Sequence, residues 1–76
     1  MMYKLNLHGY SKDEAKYEII SLLNSLPSSY TGIEVNHGYN RGTVIRDMIR
    51  NKEIKHKRFG RYFVPLNDGI TEIMFK

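Results

Sequence analysis

The sequence contains no cysteine, no tryptophan and only two prolines among 76 residues. Without cysteine there are no disulfides, no thiolate nucleophile and no cysteine-ligated zinc, so three histidines and eight carboxylates remain as metal ligands. No apolar run approaches the roughly 20 residues that cross a bilayer, and the first residues do not form a signal peptide. We therefore expect a cytoplasmic protein that does not enter a membrane.

The length allows one small domain, which we place over residues 1–76, and it excludes a two-domain cofactor enzyme. Hydrophobic residues make up 41% of the chain and charged residues 26%, as in an ordinary globular protein. We expect this domain to be a monomer.

The positive charge is concentrated in the second half of the chain. The net charge is +4, but residues 1–38 are slightly acidic, and most of the excess lies between Arg50 and Arg61, where Glu53 is the only acid. Such a surface attracts polyanions, nucleic acid above all. The alternative is a solvated surface that keeps a small protein soluble.

The first half of the chain predicts a strand, a helix and a second strand. Apolar and polar residues alternate over residues 2–7, and the alternation returns over 33–36. Between them, Ser11 and Glu14 have the spacing of a capping box, which begins a helix that Pro27 ends. The two strands of such a unit are parallel, with a right-handed crossover.

A His-Gly pair follows each of these two strands, at His8-Gly9 and His37-Gly38. Since the carboxyl ends of parallel strands share one edge, both pairs are expected at the edge where open α/β sheets bind ligands. If the alternation continues, His8 lies on the polar face of its strand and His37 on the apolar face. Each histidine is thus either a functional group or a structural residue that hydrogen-bonds its neighbours.

The second half predicts a helix and a hairpin. A glycine-containing loop leads into a helix that ends near Asn51, and a loop of this kind can hold a phosphate at the helix N-terminus. A basic strand over 54–61, a loop over 62–69 and a last strand over 70–75 then form an antiparallel hairpin.

Three segments together resemble the small MutS-related (Smr) domain: LNLHG at residues 5–9, VNHG at 35–38 with the loop that follows, and NDGITEI at 67–73. The resemblance implies a two-layer α/β (α+β) sandwich of order β-α-β-α-β-β, with a four-stranded mixed sheet and two helices, similar to the C-terminal domain of translation initiation factor three. It also implies a nucleic-acid partner, DNA or RNA, and for some members endonuclease activity, the nicking or cleaving of DNA or RNA.

Two positions depart from the pattern of that family. Asn6 replaces the acidic residue of the first box, which removes a carboxylate that could hold a metal or act as a base. Asn40 replaces a glycine of the second box, and the run from there to Arg46 is one residue longer than usual. Binding is therefore better supported than cleavage.

Candidate roles follow from the resemblance and from residue chemistry. For cleavage, His8 and His37 would transfer protons and Arg46 would stabilise the charge of the phosphorane, with magnesium or manganese as the candidate cofactor. The residues expected to contact nucleic acid are Asn6, Gly38, Tyr39, Asn40, Arg41, Gly42, Thr43, Lys55, Lys57, Arg58 and Arg61. Two alternatives stay open: a non-catalytic nucleic-acid or ribosome-associated module, and a protein-interaction domain whose basic face meets an acidic partner.

Overall fold

The computed structural model describes residues 1–38 and 43–76, which form one mixed sheet and two helices. The elements are β1 (Met2–Asn6), α1 (Lys12–Ser25), β2 (Gly32–Asn36), α2 (Thr43–Arg50), β3 (Phe59–Phe63) and β4 (Ile70–Phe75). The strands lie in the order β1-β2-β4-β3, with β1 and β2 parallel and the other two pairs antiparallel. The expected α+β fold is confirmed. Among the described residues, no helix is both long and apolar enough to span a membrane.

Helix α1 begins at the predicted capping box. The Ser11 hydroxyl accepts a hydrogen bond from the Glu14 N–H (3.2 Å), and the Glu14 carboxylate accepts one from the Ser11 N–H (2.9 Å). Hydrogen bonding of the Glu14 carboxylate to the backbone N–H of Ser11, and next to the Ser11 side chain, lowers the pKa of Glu14. At its other end the backbone becomes extended at Leu26, directly before Pro27.

A single apolar core lies between the sheet and the helices. Alternate residues of β2 and the apolar stripe of each helix supply most of it. Its buried members are Leu7, Ala15, Ile19, Leu23, Ile33, Val35, Ile45, Met48, Ile49, Ile54, Phe59 and Ile73.

The predicted strand over 54–61 begins too early, because the strand of this region is Phe59–Phe63. After α2 the chain turns at Lys52, whose φ is 59°, and then inserts Ile54 into the core. This connection runs beside α1, where the His56 Nε2 atom lies 2.7 Å from Asn24 Oδ1. The basic residues before Phe59 therefore belong to a loop, and the first two residues of the predicted 62–69 loop belong to β3. The predicted antiparallel hairpin is confirmed for β3 and β4.

Strand β3 contains a bulge at Gly60. Phe59 pairs with Phe75 and Arg61 with Met74, so Gly60 is the extra residue between them. A β-carbon on Gly60 would lie 2.7 Å from the Met74 carbonyl oxygen. Glycine is required here because the two backbones approach too closely for a side chain.

Candidate nucleic-acid interface

The parallel pairing of β1 with β2 brings the two His-Gly pairs to one edge of the sheet. Asn6 pairs with Asn36, so both strands end at the same level, and the Leu7 N–H donates to the Asn36 carbonyl (2.9 Å). The N–H groups of His37 and Gly38 both donate to the Gly69 carbonyl, each at 3.0 Å. We call His8, Gly9, His37 and Gly38 the histidine edge.

The His8 side chain is exposed and lies against the backbone of Gly38. A β-carbon on Gly38 would lie 3.0 Å from His8 Cδ2, and the φ of Gly38 is +79°. Gly9 also has a positive φ, +89°, but it faces open space. Both glycines permit a left-handed backbone, and Gly38 in addition leaves room for the imidazole.

Asn6 holds the backbone at the start of this turn. Its side-chain carbonyl oxygen accepts a hydrogen bond from the His8 N–H at 3.0 Å. This interaction is an Asx turn, which fixes the chain between β1 and the imidazole. The residue that departs from the Smr pattern therefore positions the backbone of His8.

His37 has the opposite environment, because it is only 1% exposed. It continues the buried face of β2, as the alternation predicted. Its Nδ1 lies 3.0 Å from the Gly38 carbonyl oxygen, and its Nε2 lies 2.9 Å from the Thr71 hydroxyl. The Arg50 Nε–H donates to the same hydroxyl at 3.1 Å.

These contacts determine which nitrogen of His37 carries the proton. A carbonyl oxygen only accepts, so Nδ1 donates to Gly38. Arg50 only donates, so the Thr71 hydroxyl accepts from Arg50, which leaves its own hydrogen available for His37 Nε2. Burial favours the neutral form of His37, and in that form the proton lies on Nδ1, opposite the Gly38 carbonyl oxygen.

Burial lowers the pKa of His37, and the positive charges of Arg50 and Arg46 lower it further. The hydrogen bond with Gly38 and the charge of Asp68 act against this shift. The structure thus supports a positioning role for His37, in which it holds the backbone of Gly38 beneath His8. Proton transfer by His37 stays a prediction.

Two arginines near the histidine edge, Arg46 and Arg50, are paired with carboxylates. Arg46 lies in the first turn of α2, as predicted, and its Nε is 3.2 Å from Asp47 Oδ1. The Nη2 of Arg50 is 3.8 Å from Asp68 Oδ1. Thr43 is the first residue of α2, whereas Tyr39, Asn40, Arg41 and Gly42 lie outside the described residues.

Arg58, which was predicted to contact nucleic acid, is partly buried against the end of α1. Its Nη1 donates to the carbonyls of Leu23 (2.9 Å) and Leu26 (2.6 Å), and its guanidinium lies 4.4 Å from the centre of the Phe75 ring. The last carbonyls of a helix lack intrahelical partners, so Arg58 satisfies a requirement of the fold. Phosphate contact by Arg58 stays a prediction.

Lys55, Lys57 and Arg61 are exposed, but the structure does not bring the start of β3 to the histidine edge. Phe59 pairs with Phe75, whose N–H donates to the Thr31 carbonyl just before β2. The start of β3 is therefore at the opposite end of the sheet from His37. The described residues of the predicted interface therefore lie in two parts, one at each end of the sheet.

The whole architecture can be compared with known structures. The crystal structure of the Smr domain of Thermus thermophilus MutS2 is similar to this chain, with a TM-score of 0.80 and 20% sequence identity. The match covers 97% of this chain and 98% of that one. The chain has the Smr-domain fold. No protein-family model matches the sequence, and no curated protein matches it.

Sequence reasoning missed two residues that organise the histidine edge, Thr71 and Arg50. Thr71 is fully buried and joins His37 to Arg50, although these residues lie on three different elements. The available signal was the NDGITEI segment, which carried the Smr resemblance but was assigned no role in the site. Thr71 pairs with Val35 across the sheet, two residues before His37, and its hydroxyl reaches the imidazole from there.

Proposed function

We propose that this Smr-type domain binds nucleic acid, with the histidine edge contacting the sugar-phosphate backbone. The observation that carries the proposal is the exposed His8 imidazole held over Gly38, at the same edge as two arginines. Ring and guanidinium N–H groups there can donate hydrogen bonds to phosphate oxygens.

The test is direct binding to labelled supercoiled DNA and to structured RNA over a salt series. Affinity should fall steeply as salt rises, because contacts to phosphate release counterions. His8→Gln removes the imidazole at the edge and should weaken binding. His56→Gln is unsuitable as its control, since His56 Nδ1 accepts from the Arg58 N–H, so Lys16→Gln on the exposed face of α1 serves instead. Absence of binding at low salt would contradict the proposal and favour a protein-interaction domain.

A second candidate function, phosphodiester hydrolysis, is favoured by the exposure of His8. An imidazole can accept and donate protons near neutral pH, so His8 is the residue we propose for proton transfer. Arg46 would stabilise charge on the phosphorane, and His37 would keep Gly38 in place. A non-catalytic binding module would use the same surface without this chemistry.

The cleavage test follows conversion of supercoiled DNA to nicked circles, and fragmentation of RNA, with magnesium, manganese or a chelator. His8→Gln should abolish cleavage while the domain stays folded. Dependence on a divalent cation stays a prediction. Among residues 1–38 and 43–76, no three histidine, aspartate or glutamate side chains form a cluster that could hold a metal ion, so we assign no step to one.

A further inference from the structure

A second cationic site lies beside the edge strand β3, away from the histidine edge. A groove of about 230 Å³ is present there. Its lining residues are Lys52, Ile54, Lys55, His56, Phe59 and Gly60. We call these residues the basic groove.

The lysines of the basic groove differ from the arginines of the histidine edge in their pairing. Arg46 and Arg50 each have a carboxylate partner, Asp47 and Asp68. Within the described part of the chain, Lys52 and Lys55 form no salt bridge. The groove therefore has two lysine charges that, among the described residues, no carboxylate pairs with and that are free to replace counterions on a polyanion.

Other features of the groove suit a phosphate backbone. Both ring nitrogens of His56 have partners within the domain, because its Nδ1 accepts a hydrogen bond from the Arg58 N–H and its Nε2 lies 2.7 Å from Asn24 Oδ1. The floor contains Ile54 and Phe59, and no carboxylate lines the groove. The two lysines are thus point charges beside apolar side chains, and no carboxylate of the groove lining competes with a phosphate for them.

From this arrangement we infer that the basic groove binds the phosphate backbone of the same nucleic acid that the histidine edge contacts. The inference rests on the proposed function, and it adds that the nucleic acid must be long enough to reach both sites. The groove reaches the start of β3, at the opposite end of the sheet from His37, and a five-residue strand extends about 17 Å. A duplex rises 3.4 Å per base pair, so about five base pairs separate the two contacts.

The experiment compares two hairpin duplexes, with stems of roughly 16 and roughly 4 base pairs, by fluorescence anisotropy over a salt series. Lys52→Gln/Lys55→Gln should reduce the slope of log affinity against log salt by about 2 for the long stem and leave the short stem unchanged. The matched control is Lys4→Gln/Lys16→Gln, which removes two exposed lysines from β1 and α1 and should leave the slope of the long stem unaltered. Circular dichroism melts establish that each variant is folded.

The outcomes separate this inference from the proposed function. If the wild type binds the long stem and the groove variant keeps its slope, the groove assignment is wrong and the proposed function stands. If the wild type binds neither stem at low salt, both are wrong. If polyglutamate competes as well as the long stem on an equal-charge basis, the groove binds acidic polymers in general and the nucleic-acid assignment fails.

Discussion

The imidazole of His8 lies so close to Gly38 that a β-carbon there would be 3.0 Å from His8 Cδ2. Each of the two parallel strands therefore contributes one half of a contact that neither His-Gly pair could make alone. The contact is accessible to solvent on the side of His8 and fixed by buried hydrogen bonds on the side of His37.

Gly38→Ala should destabilise the domain by about 1–3 kcal/mol, because alanine is strained at a φ of +79° and its β-carbon crowds His8. Gly9→Ala is the matched control, since its φ is +89° but nothing lies within 4 Å. Urea unfolding of both variants separates backbone strain from crowding. Adding His8→Ala to Gly38→Ala should recover part of the loss, and no recovery would contradict the contact.

Thr71→Val should cost about 1–3 kcal/mol of unfolding free energy, because His37 Nε2 loses its donor and Arg50 loses an acceptor in a buried setting. Thr31→Val removes an exposed hydroxyl and should cost less. Nitrogen chemical shifts of the imidazole should show the Nδ1–H tautomer in the wild type. An Nε2–H tautomer there would contradict the assigned network.

The stability of the domain should decrease as pH falls below about 6.5, the usual pKa of histidine. Burial lowers the pKa of folded His37, so the unfolded chain binds more protons in this range and the free energy of unfolding rises with pH. The contribution of His37 to the free energy of unfolding is complete above pH 6.5, and it is lost as the pH falls through the lowered pKa of the folded state. The stability of His37→Gln, measured by urea unfolding between pH 8 and 5, should not show this dependence on pH. The pKa of Glu14 is also lowered, but its effect on stability begins only below pH 4.5.

Arg58→Ala should destabilise the domain by about 2 kcal/mol, because the last carbonyls of α1 lose a charged donor and Phe75 loses its cation. Lys57→Ala, one residue earlier and exposed, should stay within about 0.5 kcal/mol. Thermal melts of the two variants measure this difference. Equal stability of the two would mean that Arg58 does not secure the end of α1.

Asn6→Asp should leave the fold intact, because a carboxylate oxygen can accept the His8 N–H as the amide oxygen does. It introduces the acidic residue that the Smr pattern has beside the first histidine. If that carboxylate is catalytic, the variant should gain or increase metal-dependent nicking of supercoiled DNA. Nicking by Asn6→Asp but not by the wild type would identify this chain as a binding module.

Local patterns predicted the part of the fold in which short-range interactions decide the structure. The capping box of Ser11 with Glu14 spans three residues, and the alternation of β1 and β2 requires only a buried face. The parallel pairing of these strands then placed both histidines at one edge. The buried state of His37 also follows from its position two residues after Val35.

Interactions between distant segments caused the errors. Arg58 contacts carbonyls more than 30 residues earlier, so its neighbours in sequence indicated only a basic stretch. The start of β3 was predicted too early because Ile54 is apolar. Ile54 packs into the core from a loop and does not belong to the sheet. The link from His37 through Thr71 to Arg50 joins three elements, and no local pattern predicts it.

The bulge at Gly60 has a consequence for contacts between molecules. β3 is an outer strand of the sheet, and a regular outer strand offers an unbroken row of N–H and C=O groups to any other extended chain. The extra residue interrupts that row, and exposed Arg61 directly follows it. The bulge at Gly60 therefore also disfavours pairing of β3 with a strand of a second molecule.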